Sequence, residues 1–239
     1  MAEKFGESEQ LEESERLMQL EHNEEWASEV QNKEILELYK PIKNILEQIK
    51  NRIRGGEYSL IIGEDASGRV PALIVSHVIK MVYEKNGHKY PEVKFFAGGR
   101  RLFWGEDDAY LGKIESITEK LSHQDNSHKV LVVTDTIDTG ASIEPISEAL
   151  NKIGIRFDVI TIGHLGSVLI GDKNLFDAED VFSGGSHIPE IHGKHNLSGV
   201  KKERWYVFSD KVNSEDFDKS SRSDIKIIAD KITKDVFSD

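Results

Sequence analysis

Apolar residues recur at three- and four-residue steps between residues 35 and 53, and this spacing predicts an amphipathic helix. The positions are Ile35, Leu36, Leu38, Tyr39, Ile42, Ile45, Leu46, Ile49 and Ile53. Gly55 and Gly56 follow directly and predict the end of this helix. The next apolar run, SLIIG at residues 59–63, is continuous rather than alternating, which is typical of a strand buried on both faces of a parallel sheet.

Strands and helices continue to alternate as far as residue 163. After the turn EDASGR, Pro71 marks the first turn of a helix that runs to about Glu84. Further strands are predicted at 93–99, 130–133 and 157–163, and further helices at 108–122, 143–153 and 223–236. This alternation predicts an α/β fold, doubly wound around a mostly parallel central sheet. Ligands of such folds gather in the crevice beyond the carboxyl ends of the strands.

The region after Gly163 departs from this alternation. Its short apolar pieces, at 167–170, 180–182 and 205–208, are separated by a stretch rich in glycine and histidine. We interpret residues from about 164 to 205 as a C-terminal cap, or hood, over the crevice.

The first 24 residues form an acidic segment that differs from the rest of the chain. Nine glutamates stand against only Lys4 and Arg16 in residues 1–25, so this segment carries most of the net charge of −12. With few large apolar residues, it is predicted to be a flexible leader, while residues 25–239 form a single domain.

Composition excludes several classes of protein. The chain lacks cysteine, so disulfides, thiolate nucleophiles and cysteine-based zinc sites are excluded. It also lacks a secretory signal, an apolar run long enough for a membrane helix and a basic stripe with interleaved aromatic residues. We therefore expect a cytoplasmic protein that contacts neither membrane nor nucleic acid.

The stretch VLVVTDTIDTGAS, residues 130–142, is the strongest indication of chemistry in the sequence. The predicted strand leads to Asp135 and Asp138, and a turn of small residues then opens the next helix. Backbone N–H groups at such a turn, with the positive end of the helix, form a cup for a phosphate. Carboxylates repel phosphate, so the two aspartates are expected to accept hydrogen bonds from vicinal hydroxyls or to hold magnesium. A phosphate beside hydroxyls describes a phosphosugar.

This stretch resembles the phosphoribosyl pyrophosphate (PRPP) binding motif of the type I phosphoribosyltransferases. A second stretch, GEDASGR at residues 63–69, lies where that family has its pyrophosphate loop, and residues 98–101 occupy the place of its flexible catalytic loop. The likeness covers roughly residues 35–165. It implies the fold of that family for residues 25–239, with the cap over the active site.

The resemblance also implies roles for individual residues. Asp135 would bind the ribose hydroxyls and contribute to magnesium binding, mainly through PRPP, while Asp138 would lie near the base as a proton acceptor. The residues implied in binding the 5′-phosphate are Thr139, Gly140, Ala141 and Ser142, and those implied near the pyrophosphate are Ala66, Ser67, Gly68, Arg69, Arg100 and Arg101.

Two positions depart from the family pattern. Thr134 stands where the first acid of the motif's pair is expected, so one contact to the ribose is neutral. Ser67 stands where adenine-type members have arginine, and Arg69 follows two places later. If Arg69 cannot turn inward, the pyrophosphate loses its nearest cation.

Other residues admit two readings. Asp135 and Asp138 could instead cap turns, Ser67–Arg69 could cap a helix, and Arg100 and Arg101 could serve a homodimer interface, an arrangement frequent in the family. His187, His192 and His195 have no standard zinc spacing; they line a cap pocket or lie on a surface loop. Trp205, Tyr206 and Phe208 either stack on a base or pack as a strand, and Trp104 has no assigned role.

The resemblance implies a magnesium-dependent transfer of ribose 5-phosphate from PRPP to a nitrogenous base or related nucleophile, with release of pyrophosphate. PRPP and a small-molecule base are the expected partners, and Mg²⁺ is the expected cofactor. The alternatives are a PRPP- or nucleotide-sensing regulator of the same fold and a protein-interaction module. The sequence does not identify the acceptor.

Overall fold

A computed structural model describes residues 25–96, 112, 114–116, 129–165, 175–192, 194–202, 209–211 and 219–238. The helices are α1 (Lys33–Leu36), α2 (Tyr39–Gln48), α3 (Lys50–Arg54), α4 (Arg69–Asn86), α5 (Glu144–Lys152), α6 (His195–Ser198) and α7 (Ser221–Phe237). The strands are β1 (Tyr58–Glu64), β2 (Glu92–Phe96), β3 (Lys129–Ile137), β4 (Phe157–His164), β5 (Asp180–Ser183), β6 (Val200–Lys202) and β7 (Ser209–Lys211). Within these ranges, no helix has the length and apolar character needed to cross a bilayer.

A five-stranded sheet organises the fold, and all of its strand pairs are parallel. The strand order is β2-β1-β3-β4-β5. The predicted α/β class with a parallel sheet is therefore confirmed. Residues Asp180–Ser183 fall in the region that the sequence assigned to the cap, but they pair with β4 as the edge strand of this sheet.

Helices cover both faces of the sheet. Alternate residues of each strand point to opposite faces, and both sets are apolar, so there is a hydrophobic core on each side. Ile61, Leu131 and Ile160 face one core together with the apolar sides of α2, α4 and α7. Ile62 and Val132 face the other core, which α5 covers. Burying one such side chain contributes about 1.5–3 kcal/mol relative to leaving it exposed. A sheet with two apolar faces is stable only when both are covered.

The amino-terminal helical region is divided, whereas the sequence predicted one helix over residues 35–53. The structure has α1, α2 and α3, separated by a turn at residues 37–38 and by Ile49, whose backbone leaves the helical conformation. Asp224 of α7 lies at the start of this region and accepts backbone N–H bonds from Gln31 at 3.1 Å and Asn32 at 2.9 Å. This buried carboxylate fixes where α1 begins and ties it to the last helix.

Strand β3 is longer than predicted. The sequence predicted a strand over residues 130–133 with Asp135 just beyond it, but β3 runs from Lys129 to Ile137. Thr134 pairs with Thr161, and Thr136 pairs with Gly163, so the ladder continues past the polar residues. Asp135 therefore lies inside the strand, and the turn begins at Asp138.

Candidate ligand-binding site

The turn after β1 packs directly against the end of β3. A side chain at Gly68 would meet the Glu64 carbonyl oxygen at 2.6 Å and both Thr134 Cα and the Val133 carbonyl oxygen at 3.1 Å, so only glycine fits here. The turn is further fixed by a 2.7 Å hydrogen bond from the Asp65 N–H to the Phe96 carbonyl. The two stretches that the sequence analysis singled out are thus neighbours in space.

Arg69 is the first residue of α4, directly after this turn, and its side chain contacts other groups of the protein. Its Nε is 3.2 Å from Asp65 Oδ1, and its guanidinium lies 4.0 Å from the centre of the Phe95 ring. Ser67 and Arg69 are half-buried, whereas Ala66 and Gly68 are buried. A pyrophosphate group near this turn would therefore compete with Asp65 for the guanidinium.

Glu64 places a buried carboxylate beside Thr134, the residue of β3 that departs from the phosphoribosyltransferase motif. The Thr134 hydroxyl donates to Glu64 Oε2 at 3.4 Å, and both residues are buried. The neutral Thr134 thus has an acid from the neighbouring strand beside it. Glu64 was not predicted as a site residue, although it directly follows the strand predicted at residues 59–63.

Asp135 is buried at 2% exposure and contacts a histidine from the cap region. His192 Nδ1 lies 2.6 Å from Asp135 Oδ2, and the side chain of His192 is 58% exposed. Oδ2 of Asp135 is therefore already in contact with a protein side chain, whereas the resemblance implied that this residue binds ribose hydroxyls. The pairing joins residues 57 positions apart and could not be read from local sequence.

The turn carrying His192 is anchored to the sheet and its core. Ile191 is 1% exposed, and the His192 N–H donates to the Pro189 carbonyl at 3.0 Å. A side chain at Gly163 would collide with the backbone of His187, so β4 and this segment are in direct contact. His187 is exposed, and His195 begins the short helix α6.

The turn between β3 and α5 leaves its polar side chains accessible. Asp138 and Thr139 are exposed, while Ala141 and Ser142 are half-buried. Gly140 has a φ of 81°, a left-handed conformation that glycine adopts without strain. Its carbonyl accepts the N–H groups of Ile143 at 2.9 Å and Glu144 at 3.0 Å, which begins the helix.

Phe176 covers this turn from one side. A side chain at Gly140 would collide with the Phe176 ring, so the ring packs directly on the glycine. The Phe176 backbone is left-handed at φ 64°, and its carbonyl accepts a 3.1 Å hydrogen bond from Asn151. An open pocket of about 520 Å³ adjoins the turn, lined by Thr139, Gly140, Ala141, Glu144, Ser147, Glu148, Asn151, Phe176 and Asp177. The predicted phosphate cup is therefore partly occupied by an aromatic side chain.

A further histidine lies at the same edge of the sheet. His164 ends β4, and its Nδ1 is 2.8 Å from the Ser183 hydroxyl, which donates to the Gly185 carbonyl at 2.9 Å. His164 was missed as a candidate, although it directly follows a predicted strand. The candidate residues Arg100 and Arg101, Trp104, Trp205, Tyr206 and Phe208, and the leader 1–24 all lie outside the described residues.

Comparisons with known proteins leave the family open. No protein-family model matches the chain, and no curated protein matches it. Among solved structures, it is similar to the crystal structure of TT1426 from Thermus thermophilus at 14% sequence identity and a TM-score of 0.36. That match covers 81% of this chain and 95% of the other.

Proposed function

We propose that this chain is a magnesium-dependent phosphoribosyltransferase of the type I kind, with the corresponding fold and a cap over its active site. It would transfer ribose 5-phosphate from PRPP to a nitrogenous base or related nucleophile. A homodimer in the cytoplasm is part of the same proposal.

The observation that carries this proposal is where the two motif stretches lie in the sheet. β1 pairs with β2 on one side and with β3 on the other. Successive strands are therefore added to the sheet in one direction from β1 to β2 and in the opposite direction from β3 onward, although all of them run parallel. Ligands of open α/β sheets bind at such a reversal, beyond the carboxyl ends of the strands. The turns after β1 and β3 both lie there, with Gly68 packed on Thr134. A PRPP motif is expected at this position.

In this proposal, separate residues would contact each part of PRPP. The turn Thr139–Ser142 would take the 5′-phosphate with backbone N–H groups and two hydroxyls. Asp135 would accept a ribose hydroxyl through Oδ1, because His192 contacts Oδ2. Pyrophosphate would lie toward the turn that ends at Arg69, with Arg100 and Arg101 as further cations.

The acids at this edge fit a magnesium ion that PRPP itself largely coordinates. Magnesium prefers oxygen ligands and usually takes only one or two carboxylates together with phosphates and water. Asp135 could supply one such carboxylate, and Asp138 is exposed a short distance along the chain. Among the described residues, no group of three candidate ligand side chains is found. When bound, magnesium would neutralise charge on the leaving pyrophosphate.

Three observations favour a second candidate, a PRPP-sensing regulator of the same fold. Asp135 is already bonded to His192, Phe176 lies on Gly140, and Thr134 is neutral. Each reduces what the site offers a transition state while leaving room to bind a ligand. A helix terminus contributes only about 0.3–1 kcal/mol to anion binding, whereas catalysis requires roughly 8 kcal/mol or more.

Turnover separates the two functions. The full chain is incubated with PRPP and, in turn, adenine, guanine, hypoxanthine, xanthine, uracil and orotate, with and without Mg²⁺, and pyrophosphate release is measured. An enzyme releases pyrophosphate only when both Mg²⁺ and an acceptor are present. A sensor shows a PRPP-dependent rise in melting temperature without turnover, and a protein with neither response contradicts both proposals.

The phosphate cup is tested separately by the double variant Thr139→Val with Ser142→Ala. Loss of two hydroxyl contacts is expected to weaken PRPP binding about tenfold or more, at roughly 1 kcal/mol for each hydrogen bond. Ser76→Ala is a matched control, because the Ser76 hydroxyl bonds within α4 to the Leu73 carbonyl. Equal affinity of the double variant and the control would remove the cup from the proposal.

A further inference from the structure

We propose that His164 is a specificity-determining residue of this site, which accepts a hydrogen bond through Nε2 from an N–H group of the incoming base. The inference rests on the proposed transferase activity and adds a chemical requirement on the acceptor. Besides the nitrogen that attacks the sugar, the base would present a second N–H group, such as an exocyclic amine or a lactam N–H.

His164 lies directly beside the motif turn. In the ladder between β3 and β4, His164 is the partner of Ile137, and Asp138 follows Ile137 along the chain. Neighbouring strands lie about 4.8 Å apart, so only one strand spacing separates His164 from the end of β3. The Leu165 N–H donates to the Ile137 carbonyl at 2.9 Å, which holds the chain after β4 against the same strand end. His164 is therefore within reach of a ligand bound at the motif turn.

The direction of nucleophilic attack favours this side of the site. In the proposed arrangement, pyrophosphate lies toward the turn after β1 and the sugar lies over the end of β3. β4 is the neighbour of β3 on the side away from β1. A nucleophile that displaces a group from the anomeric carbon of a sugar approaches from the face opposite that group. The base would therefore enter from the side of β4, where His164 is half-buried.

The ring of His164 is held by the end of β5 and the residues that follow it. Its Nδ1 lies 2.8 Å from the Ser183 hydroxyl, and its backbone N–H donates to the Gly185 carbonyl at 3.1 Å. Ser183 is the last residue of β5, so Nδ1 faces that edge strand and Nε2, on the other side of the ring, faces away from it. A ring held in this way loses little further freedom when a ligand binds its second nitrogen.

The Ser183 hydroxyl determines which nitrogen of His164 is the acceptor. A carbonyl oxygen only accepts hydrogen bonds, so the 2.9 Å contact between Ser183 Oγ and the Gly185 carbonyl uses the single hydroxyl proton. Nδ1 must then donate to Oγ, and in the neutral imidazole Nε2 is the acceptor. Within the part of the chain that the structure describes, Nε2 has no hydrogen-bond partner.

An acceptor at this position distinguishes the parts of the ligand. Ionised phosphate oxygens carry no proton and cannot donate to Nε2, so His164 does not suit the phosphate groups of PRPP. Ribose hydroxyls and base N–H groups can both donate. The direction of attack favours the base, and the test therefore varies the base while the sugar stays the same.

Each base that supports turnover in the panel above is compared with an analogue that lacks one N–H donor. Suitable pairs are adenine with purine, hypoxanthine with 1-methylhypoxanthine and uracil with 3-methyluracil, and guanine, xanthine and orotate are paired with their methylated forms. The wild type should prefer the donor base by about tenfold or more in kcat/KM, because a site that hydrogen-bonds an N–H group rejects an analogue without it. His164→Ala should reduce this preference below about threefold and change the KM for PRPP less than about threefold.

Two further variants sharpen the comparison. Ser183→Ala keeps the imidazole but removes the partner of Nδ1, so the ring can turn and exchange its donor and acceptor nitrogens. Its preference for the donor base should lie between those of wild type and His164→Ala. His77→Ala is the matched control, because His77 is exposed on α4 about 12 Å along the helix from its first residue, and it should keep the full preference.

Each result decides the inference. An unchanged preference in His164→Ala would overturn it while leaving the transferase proposal intact. A large rise in the KM for PRPP, with the base preference unchanged, would assign Nε2 to a ribose hydroxyl and would also overturn it. Full preference in Ser183→Ala would contradict the role of Ser183 in making Nε2 the acceptor.

Failure of the proposed activity is distinguished by binding. If no base supports turnover, the transferase proposal fails, and the full chain is titrated with adenosine 5′-monophosphate and with purine riboside 5′-monophosphate. Tighter binding of the adenosine nucleotide by about tenfold, lost in His164→Ala, would support the role of His164 in a nucleotide-binding protein. Equal affinities, or no binding of either nucleotide, would overturn the inference as well.

Discussion

Acidic residues at the two ends of the strands of the central sheet have different partners. We call the end at which the parallel strands begin the amino edge and the end at which they finish the carboxyl edge. At the amino edge, the guanidinium of Arg52 bonds to both Asp158 and Asp180, and the Lys129 ammonium contacts Glu179. At the carboxyl edge, Asp135 is as deeply buried as Asp158, but its partner is a histidine whose side chain is more than half exposed. Asp158 and Asp135 are thus almost equally buried, but Asp158 is paired with a guanidinium and Asp135 with an imidazole that faces solvent.

This difference indicates what each edge is for. Asp158 accepts bonds from Arg52 and from the Tyr58 hydroxyl, so it joins a helix and two strands. Asp135 instead lies near the end of β3 and contacts His192 of a turn outside the sheet, and Asp138 is exposed just past the strand. Acids paired with cations of neighbouring elements stabilise the fold, whereas an acid paired with an exposed histidine and an exposed acid at the carboxyl ends are the candidates for contact with a ligand.

The largest expected effect is that of Asp158→Ala at the amino edge. Removing this carboxylate leaves Arg52 with one acid and the buried Tyr58 hydroxyl without its acceptor. Breaking a buried ion pair from one side costs about 3–5 kcal/mol. The free energy of unfolding, measured by urea denaturation, should fall by that amount.

Asp135→Ala is the matched control for this prediction. It removes a carboxylate of nearly equal burial, but His192 can recover its hydration because it is exposed. The expected loss is about 1–2 kcal/mol, together with loss of PRPP binding. Equal losses of stability in the two variants would remove the contrast between the edges.

An exchange between Glu64 and Thr134 tests whether the carboxyl edge holds a second acid for ligand binding. Thr134→Glu places a second carboxylate beside Glu64 in a buried position, which should destabilise the protein by about 2–3 kcal/mol. Adding Glu64→Thr restores one acid and one hydroxyl in exchanged positions. The double variant should recover at least about 1 kcal/mol of stability and retain PRPP affinity.

Additive losses in that cycle would contradict the pairing of these two residues. Loss of PRPP affinity in the double variant, with stability restored, would mean that the strand carrying the acid matters to the ligand. The measurements are unfolding free energies and PRPP titrations of both single variants and the double variant.

Alkaline pH tests the amino edge without a change in side-chain packing. Burial raises the pKa of the Tyr58 phenol above its usual value, and the Asp158 carboxylate raises it further. The folded protein therefore keeps this proton when the unfolded chain releases it. The resulting stability is complete below about pH 10 and is lost as pH rises, by about 1.4 kcal/mol per pH unit.

Tyr58→Phe should remove that part of the pH dependence. Between about pH 10 and 11, the decrease in unfolding free energy of the variant should be smaller by up to about 1.4 kcal/mol. Burial also raises the pKa of Tyr83, so the variant should retain some alkaline dependence. If the unfolding free energy of wild type and variant depended on pH with the same slope, the pKa of Tyr58 would be the same in the folded and unfolded chains, which would contradict this prediction.

The sequence predicted the sheet better than the site, and the reason is physical. Continuous apolar runs indicate buried parallel strands, so the predicted ends of β1 and β4 differ from the observed ends by one residue at most. The end of β3 was missed because the continuous apolar run stops at Val133 and polar residues follow it in Thr134–Ile137 (TDTI). Threonine is β-branched and suits a strand, and the ladder to β4 continues through these residues.

Contacts between distant residues set the limit for the candidate site. The motif pointed to the turns after β1 and β3, which pack against each other in the structure, but not to the partners of their side chains. His192 reaches Asp135 across 57 positions, and Arg52 reaches Asp158 across 106. Periodicity describes local structure and contains no information about such pairs. The Phe176 ring on Gly140 was hidden for the same reason.

The smallest expected effect on stability is that of Asp138→Asn. Asp138 is exposed in the turn after β3, and the substitution preserves the shape of the side chain while removing its charge. Exposed substitutions outside special contacts change the unfolding free energy by less than about 0.5 kcal/mol. Urea denaturation of the variant should therefore match that of the wild type, although Asp138 directly follows the strand that carries Asp135. A loss above about 2 kcal/mol would mean that Asp138 supports the fold, and the carboxyl edge would then resemble the amino edge in using its acids for stability.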